Sequence, residues 1–219
     1  MEAVRGVLRF PPEFPRRGPG FPRHDPQPPL VPGPGSGGPG LDPWLQERLF
    51  EQRLVMVHGV LTPAAASTVA AQLLALDAAG SSRIRLHLAS PDGDLGAAFA
   101  LVDALDLMRA TVLAVVTGEV GGATLAVLAA AKQRTAYPHA RFRLAEPRVD
   151  EVSGTADQIV GQASQHLQML EDLILRLVDV TGRSRPQVET DLSDGKLLSA
   201  ADAVEYGLIS EVVGRTPGD

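Results

Sequence analysis

Between Val112 and Ala131 the chain carries two consecutive segments that leave no face for water. Val112 to Val116 is an unbroken apolar run, and Ala123 to Ala131 is an apolar helix-like stretch whose one polar side chain is Thr124. A strand that is apolar on both faces needs cover on both, which is the setting of a parallel sheet, and a helix that is apolar all round must itself be buried. The neighbouring segments repeat the theme. Leu54 to His58 reads as a strand, and Thr62-Pro63 then opens an alanine-rich helix to about Ala78, with Thr62 as N-cap and Pro63 as first helical residue. Arg83 to Ala89 alternates apolar and polar, so it is a strand with one packed face, and Gly96 to Met108 is a helix with Ala100, Leu101, Leu105 and Met108 on one stripe. Strand-helix-strand repeats of this kind imply right-handed crossovers and a largely parallel sheet, so the expected fold class is α/β.

Two later segments add shape. From about Asp157 to Val180, Ile159, Ala163, Leu167, Leu170, Ile174 and Leu177 recur at spacings of three or four. A helix of that span extends roughly 35 Å, long for a compact domain, so part of its stripe is expected to pack on another subunit. In Leu197 to Ile209, Ser199 caps a helix with Asp202 at the reciprocal position, and Gly207 ends it before a closing strand.

The ends are different in kind. Residues 1–43 hold twelve of the 18 prolines and the run Pro32 to Gly40, a composition that cannot bury enough apolar surface to offset chain entropy. The expected organisation is a disordered or polyproline-type tail over 1–43, a folded domain over 44–214 and a short C-terminal tail over 215–219. Phe10, Phe14 and Phe21 are the apolar anchors of the long tail. Within the 219 residues there is no cysteine and no run of about 18 apolar residues. Without a signal-peptide pattern the expected location is the cytoplasm. A net charge of −6, with no Lys/Arg cluster on any one segment, argues against nucleic-acid or anionic-membrane binding. His24, His58, His87, His139 and His166 lack metal spacing, so no metal and no cofactor is expected.

The turn between the two buried segments, Thr117-Gly118-Glu119-Val120-Gly121-Gly122-Ala123, is the strand-turn-helix setting in which many hydrolases hold a nucleophile, and it contains no Ser or Cys. Three motifs surround it. Ser199-Ala200-Ala201-Asp202-Ala203-Val204-Glu205-Tyr206-Gly207-Leu208 resembles S-A-x-E-A-x-E-Y-G-L, Ser90-Pro91-Asp92-Gly93 resembles S-P-G-G, and Pro138 to Pro147 matches P-N-S-R-x-x-x-H-Q-P in spacing. These are motifs of the Clp protease proteolytic subunit, whose fold of repeated ββα units with a protruding handle helix is shared with crotonases. The resemblance runs from about Leu45 to Val213.

Carried over position by position, the resemblance implies a dismantled triad. The family's serine is either deleted or falls on Val120 or Gly121, its histidine falls on Ala145, and its aspartate on Gly195, one residue from Asp194. Thr124, proposed as a substitute, has no base assigned to it. Gly93, matching the second glycine of S-P-G-G, is implied as an oxyanion-hole donor, and Gly122 can present a further N–H. Asp92, Asp94, Glu119 and Glu146 form a possible acidic cluster around the former site, suited either to a hard cation such as Mg²⁺ or Ca²⁺ or simply to water. The resemblance further implies seven-membered rings of Clp proteolytic subunits, two rings stacked through the handle that 157–180 matches, and an AAA+ ATPase as partner. Asp194-Gly195 replaces the family's R-D pair, which leaves the usual ring-to-ring ion pairs in doubt. Residues Val149 to Ser153 lack the paired glycines that follow H-Q-P, so the handle's strand is expected to pair differently. The function expected is a pseudo-peptidase. Its alternatives are an active peptidase or crotonase-like acyl-CoA enzyme using other residues, and a free-standing binding protein.

Overall fold

A computed structural model describes residues 43–147 and 154–214. The proline-rich tail, except for Pro43, the segment 148–153 and the tail 215–219 lie outside the described residues, and the readings placed on them stay expectations. The elements follow the two periods read from the sequence. They are α1 (Pro43–Glu51), β1 (Leu54–His58), α2 (Pro63–Ala79), β2 (Ile84–Ala89), α3 (Leu95–Leu107), β3 (Val112–Val116), β4 (Glu119–Gly121) and α4 (Thr124–Ala130). Then come β5 (Gln133–Ala136), β6 (Arg141–Leu144), α5 (Ala156–Thr181), α6 (Arg185–Ser193), β7 (Lys196–Ser199), α7 (Ala200–Tyr206) and β8 (Glu211–Val212).

Two sheets result. The larger is parallel throughout, in the order β1-β2-β3-β5-β8, and the smaller runs β4-β6-β7, with β4 parallel to β6 and β6 antiparallel to β7. The repeated ββα unit is explicit in β3-β4-α4. In the two preceding units the second strand shrinks to single residues, Leu61 after β1 and Gly93 after β2, which bridge each other in parallel. The core lies where the large sheet meets its helices. Leu86 and Leu88 of β2, Leu101 of α3, and Leu125 and Leu128 of α4 are fully buried, each a burial of about 1.5–3 kcal/mol.

Helix ends are fixed by the residues expected. The Thr62 side chain accepts from Ala65 N–H with Pro63 in the first turn, Ser199 and Asp202 form a reciprocal cap, and Gly207 ends α7 at φ +94°. In α5 the single stripe divides in two: Leu173, Ile174 and Leu177 are buried, whereas Ile159, Val160 and Leu167 are exposed. Its inner half is tied down by Arg176 to Asp106 of α3 at 2.6 Å and by Glu171 to Arg185 of α6 at 2.6 Å. Among the described residues no helix is long and apolar enough to cross a membrane.

One carboxylate joins the end of α2 to the entry of β3. Asp77 Oδ1 accepts from the N–H groups of Arg109 and Ala110 at 3.0 and 2.7 Å, and the Arg109 guanidinium lies 3.6 Å from Oδ2. The Ala110 N–H foremost, with Arg109 adding to it against the opposing effect of burial, holds the carboxyl below the ordinary aspartate value. A lowered folded-state pKa means stability that is complete above the unfolded value, about 4, and lost as pH falls through the folded one. Asp77→Ala is therefore expected to lower the urea midpoint at pH 7, and the difference from wild type to narrow as pH drops below about 4. A difference equally large at low pH would show that the charge contributes nothing.

Candidate functional site

The small sheet gathers the positions that the sequence singled out. Its register pairs Gly121 with Arg143 and Leu144 with Lys196. One step beyond these pairs lie Gly122 at the end of β4, Ala145 at the end of β6 and Gly195 at the start of β7. Three strands thus bring Gly122, Ala145 and Gly195 to one end of one sheet. None of the three residues carries a hydroxyl, thiol, imidazole or carboxylate. Asp194, the displaced acid, is an exposed residue ending α6, its N–H bonded to Thr190 O at 2.9 Å.

The turn itself refines the count along the chain. Val120 is fully buried, its side chain part of the core. Gly121 is equally enclosed: a Cβ there would stand 2.7 Å from Pro91 O and 3.0 Å from Arg143 O, so backbone on two sides excludes any side chain. The sharp strand-to-helix position is Gly122, at φ +52°, the backbone setting in which a hydrolase exposes its nucleophile. A Cβ there would clash with Oδ1 of Asp92.

Hydroxyls near the turn are committed to structure. Thr124 Oγ1, wholly buried, lies 2.7 Å from Ser90 O and 2.6 Å from Gly121 O, so its single proton is held between two carbonyls. Ser90, also wholly buried, donates from Oγ to Asp92 O at 3.1 Å, and Ser90 O accepts from Gly121 N–H at 3.2 Å. These bonds stitch the Ser90–Gly93 loop onto the β4-α4 turn. They also leave Thr124 without an exposed lone pair aimed at a substrate.

The four carboxylates have different surroundings. Asp92 Oδ1 accepts from Gly93 N–H at 2.8 Å, and Asp94 Oδ1 accepts from Ala97 N–H at 2.6 Å as the N-cap of α3. Glu119 pairs with Arg143, while Glu146 is exposed beyond β6 with its N–H bonded to Leu192 O at 3.3 Å. Among the described residues no group of three His, Asp or Glu is placed to hold a metal ion. Asp92, Asp94 and Glu119 thus each have a contact within the fold, and Asp92 and Asp94 line one groove.

Arg143 is the residue that reading of the chain missed. Arg141-Phe142-Arg143-Leu144 alternates, with Phe142 and Leu144 fully buried, and that alternation was the available signal for both the strand and its two outward arginines. Together with Leu61, Pro91, Asp92, Gly93 and Asp94 it lines an open groove of about 490 Å³ beside Gly122. Behind the third position, Tyr206 donates to Asp191 at 2.8 Å and Lys196 reaches the same carboxylate at 2.8 Å. Burial, and then this bond to Asp191, push the Tyr206 phenol up from its ordinary value, so it stays protonated as a wall of the fold.

Comparison with known proteins gives one answer. The sequence profile of the family described as Clp protease matches residues 43–216. The ATP-dependent Clp protease proteolytic subunit 1 of Frankia casuarinae is 32% identical over 183 residues, covering 82% of this chain and 85% of that one. The protein of the same description from Thermobifida fusca is 28% identical over 169 residues, covering 76% of each. The ATP-dependent Clp protease proteolytic subunit of Streptococcus pneumoniae is 30% identical over 173 residues, covering 77% and 88%.

Proposed function

The chain belongs to the Clp protease family, and we propose that within it this protein is a non-catalytic homologue of the proteolytic subunit, acting in the assembly or regulation of a Clp ring. The observation that supports this reading is the end of the small sheet, where Gly122 lies close to Ala145 and Gly195, the two residues that the resemblance matches to base and third partner. Ser, His and Asp act as a unit, and removing such a set lowers turnover roughly 10⁶-fold in serine peptidases. Thr124, buried and bonded to carbonyls, supports the same conclusion. The partners proposed are active Clp proteolytic subunits in a mixed ring and, through that ring, an AAA+ ATPase, in the cytoplasm. No cofactor, nucleic acid or membrane is required by the reading.

The exposed outer half of α5 favours the assembly role, because Ile159, Val160 and Leu167 keep an apolar stripe that the described residues leave exposed. The expected result is that the purified protein releases no fluorophore from peptide substrates above the rate of buffer, while native mass spectrometry of tagged protein from its host records a ring containing Clp subunits. Turnover that survives purification to homogeneity would replace this reading with an active enzyme. A monomer that never carries Clp subunits would replace it with a free-standing binding protein.

A further inference from the structure

Asp92 stands at the crossing of two contacts that a catalytic site would need open. Its Oδ1 accepts from Gly93 N–H at 2.8 Å, the group that the resemblance implies as the donor to a developing oxyanion. The same oxygen lies too close to Gly122 for a Cβ to be added there without a clash, at the strand-to-helix turn where a nucleophile's side chain would start. The loop that delivers it is fixed on several sides. Ser90 Oγ donates to Asp92 O, Leu61 N–H donates to the same carbonyl at 3.0 Å, and Asp94 N–H donates to Leu61 O at 2.9 Å. Gly93 cannot shift away, since it is packed so close to Leu61 that a Cβ would come within 2.5 Å of the Leu61 side chain.

We propose that the Asp92 carboxylate is an internal ligand of the remnant oxyanion pocket, filling both the donor at Gly93 and the seat at Gly122, and so decides what the adjoining groove can hold. The inference rests on the non-catalytic reading above and names the residue that closes the site. A carbonyl or oxyanion entering the groove has to displace a charge-assisted hydrogen bond that is held at intramolecular concentration. Its own charge then meets the expelled carboxylate. The groove therefore excludes acyl and tetrahedral-anion ligands as long as Asp92 is present, and it admits them once the side chain is removed.

The probe is a peptide phosphonate, a stable tetrahedral anion that needs no nucleophile, titrated by calorimetry into the full-length protein. Asp92→Gly and Asp92→Ala are expected to bind it at least tenfold more tightly than wild type, with the Gly93 amide proton resonance moving as the phosphonate is added. Asp92→Asn keeps an acceptor oxygen of the same reach without the charge, and it is expected to bind the phosphonate with an affinity between those of wild type and Asp92→Ala. Equal opening by Asp92→Asn would overturn the proposal in favour of simple charge repulsion. Binding by the folded Gly and Ala variants no tighter than wild type would overturn it while the non-catalytic reading stands. Peptide turnover by wild type would instead remove that reading and this inference with it.

Discussion

Placing a serine at Gly121 is expected to give no peptidase and to cost the protein about 3 kcal/mol of stability, the upper end of what overpacking a closed site costs. Two of the atoms that a Cβ there would meet are backbone oxygens, Pro91 O at 2.7 Å and Arg143 O at 3.0 Å. Backbone cannot turn aside as a side chain can, and both oxygens belong to segments fixed by other bonds. Pro91 lies in the loop stitched to the turn by Ser90, and Arg143 is paired in β6 on both sides. Gly122→Ser is the informative partner. There the obstruction is the end of the Asp92 side chain, which can rotate, and the backbone cost of a non-glycine residue at φ +52° is about 1–2 kcal/mol. Urea unfolding should thus rank Gly121→Ser as the more damaging by at least about 1 kcal/mol, although Gly121 has an ordinary backbone angle and Gly122 does not. Neither variant is expected to cleave a fluorogenic peptide, because position 145 remains alanine and offers no base. Equal stability of Gly121→Ser and wild type would mean that the turn is far more yielding than its packing implies.

How much of this was legible in the chain depended on the length scale of each signal. Elements with a full period to display were found. Val112 to Val116 is β3 residue for residue, and the helices placed at Pro63, Gly96 and Asp157 begin within one residue of α2, α3 and α5. The segments that went unread are short or lack a period. The first, α1, emerges directly from the proline-rich segment, and β4 has three residues, one of them the glycine whose packing matters most. The smaller sheet is built from β4, β6 and β7, of three, four and four residues, and its order joins strands distant in sequence, which no local pattern announces. The site shared this fate in part. Ala145 and Gly195, matched by motif alone, lie at the adjoining ends of β6 and β7. The resemblance puts the nucleophile's seat at Val120 or Gly121, while the positive φ of the turn belongs to Gly122. A positive φ is a property of the turn, and two glycines in succession conceal which of them adopts it. Asp92 was read as one member of an acidic cluster because spacing reports proximity along the chain and says nothing of where a short side chain points.

Charging the outer half of α5 is expected to abolish association through that helix while leaving the subunit folded. Ile159 is 41% exposed and Leu167 is 64% exposed on the stripe whose inner members, Leu173 and Leu177, are wholly buried. A helix of 26 residues whose first dozen contribute little to their own domain keeps such a stripe for a surface outside it. Burying these two side chains against a second subunit is worth about 1.5–3 kcal/mol each. Ile159→Glu combined with Leu167→Lys removes that gain and adds the cost of desolvating two charges, so the association constant should fall by at least about a thousandfold. Sedimentation velocity should then record a smaller particle than wild type at the same concentration, with an unchanged thermal midpoint. Leu173→Ala supplies the opposite pattern as a control. Its side chain lies inside the domain, so about 2–5 kcal/mol of stability should be lost before association is affected. Identical sedimentation of wild type and the doubly charged variant would show that the outer stripe holds no partner, and the assembly reading would lose its structural support.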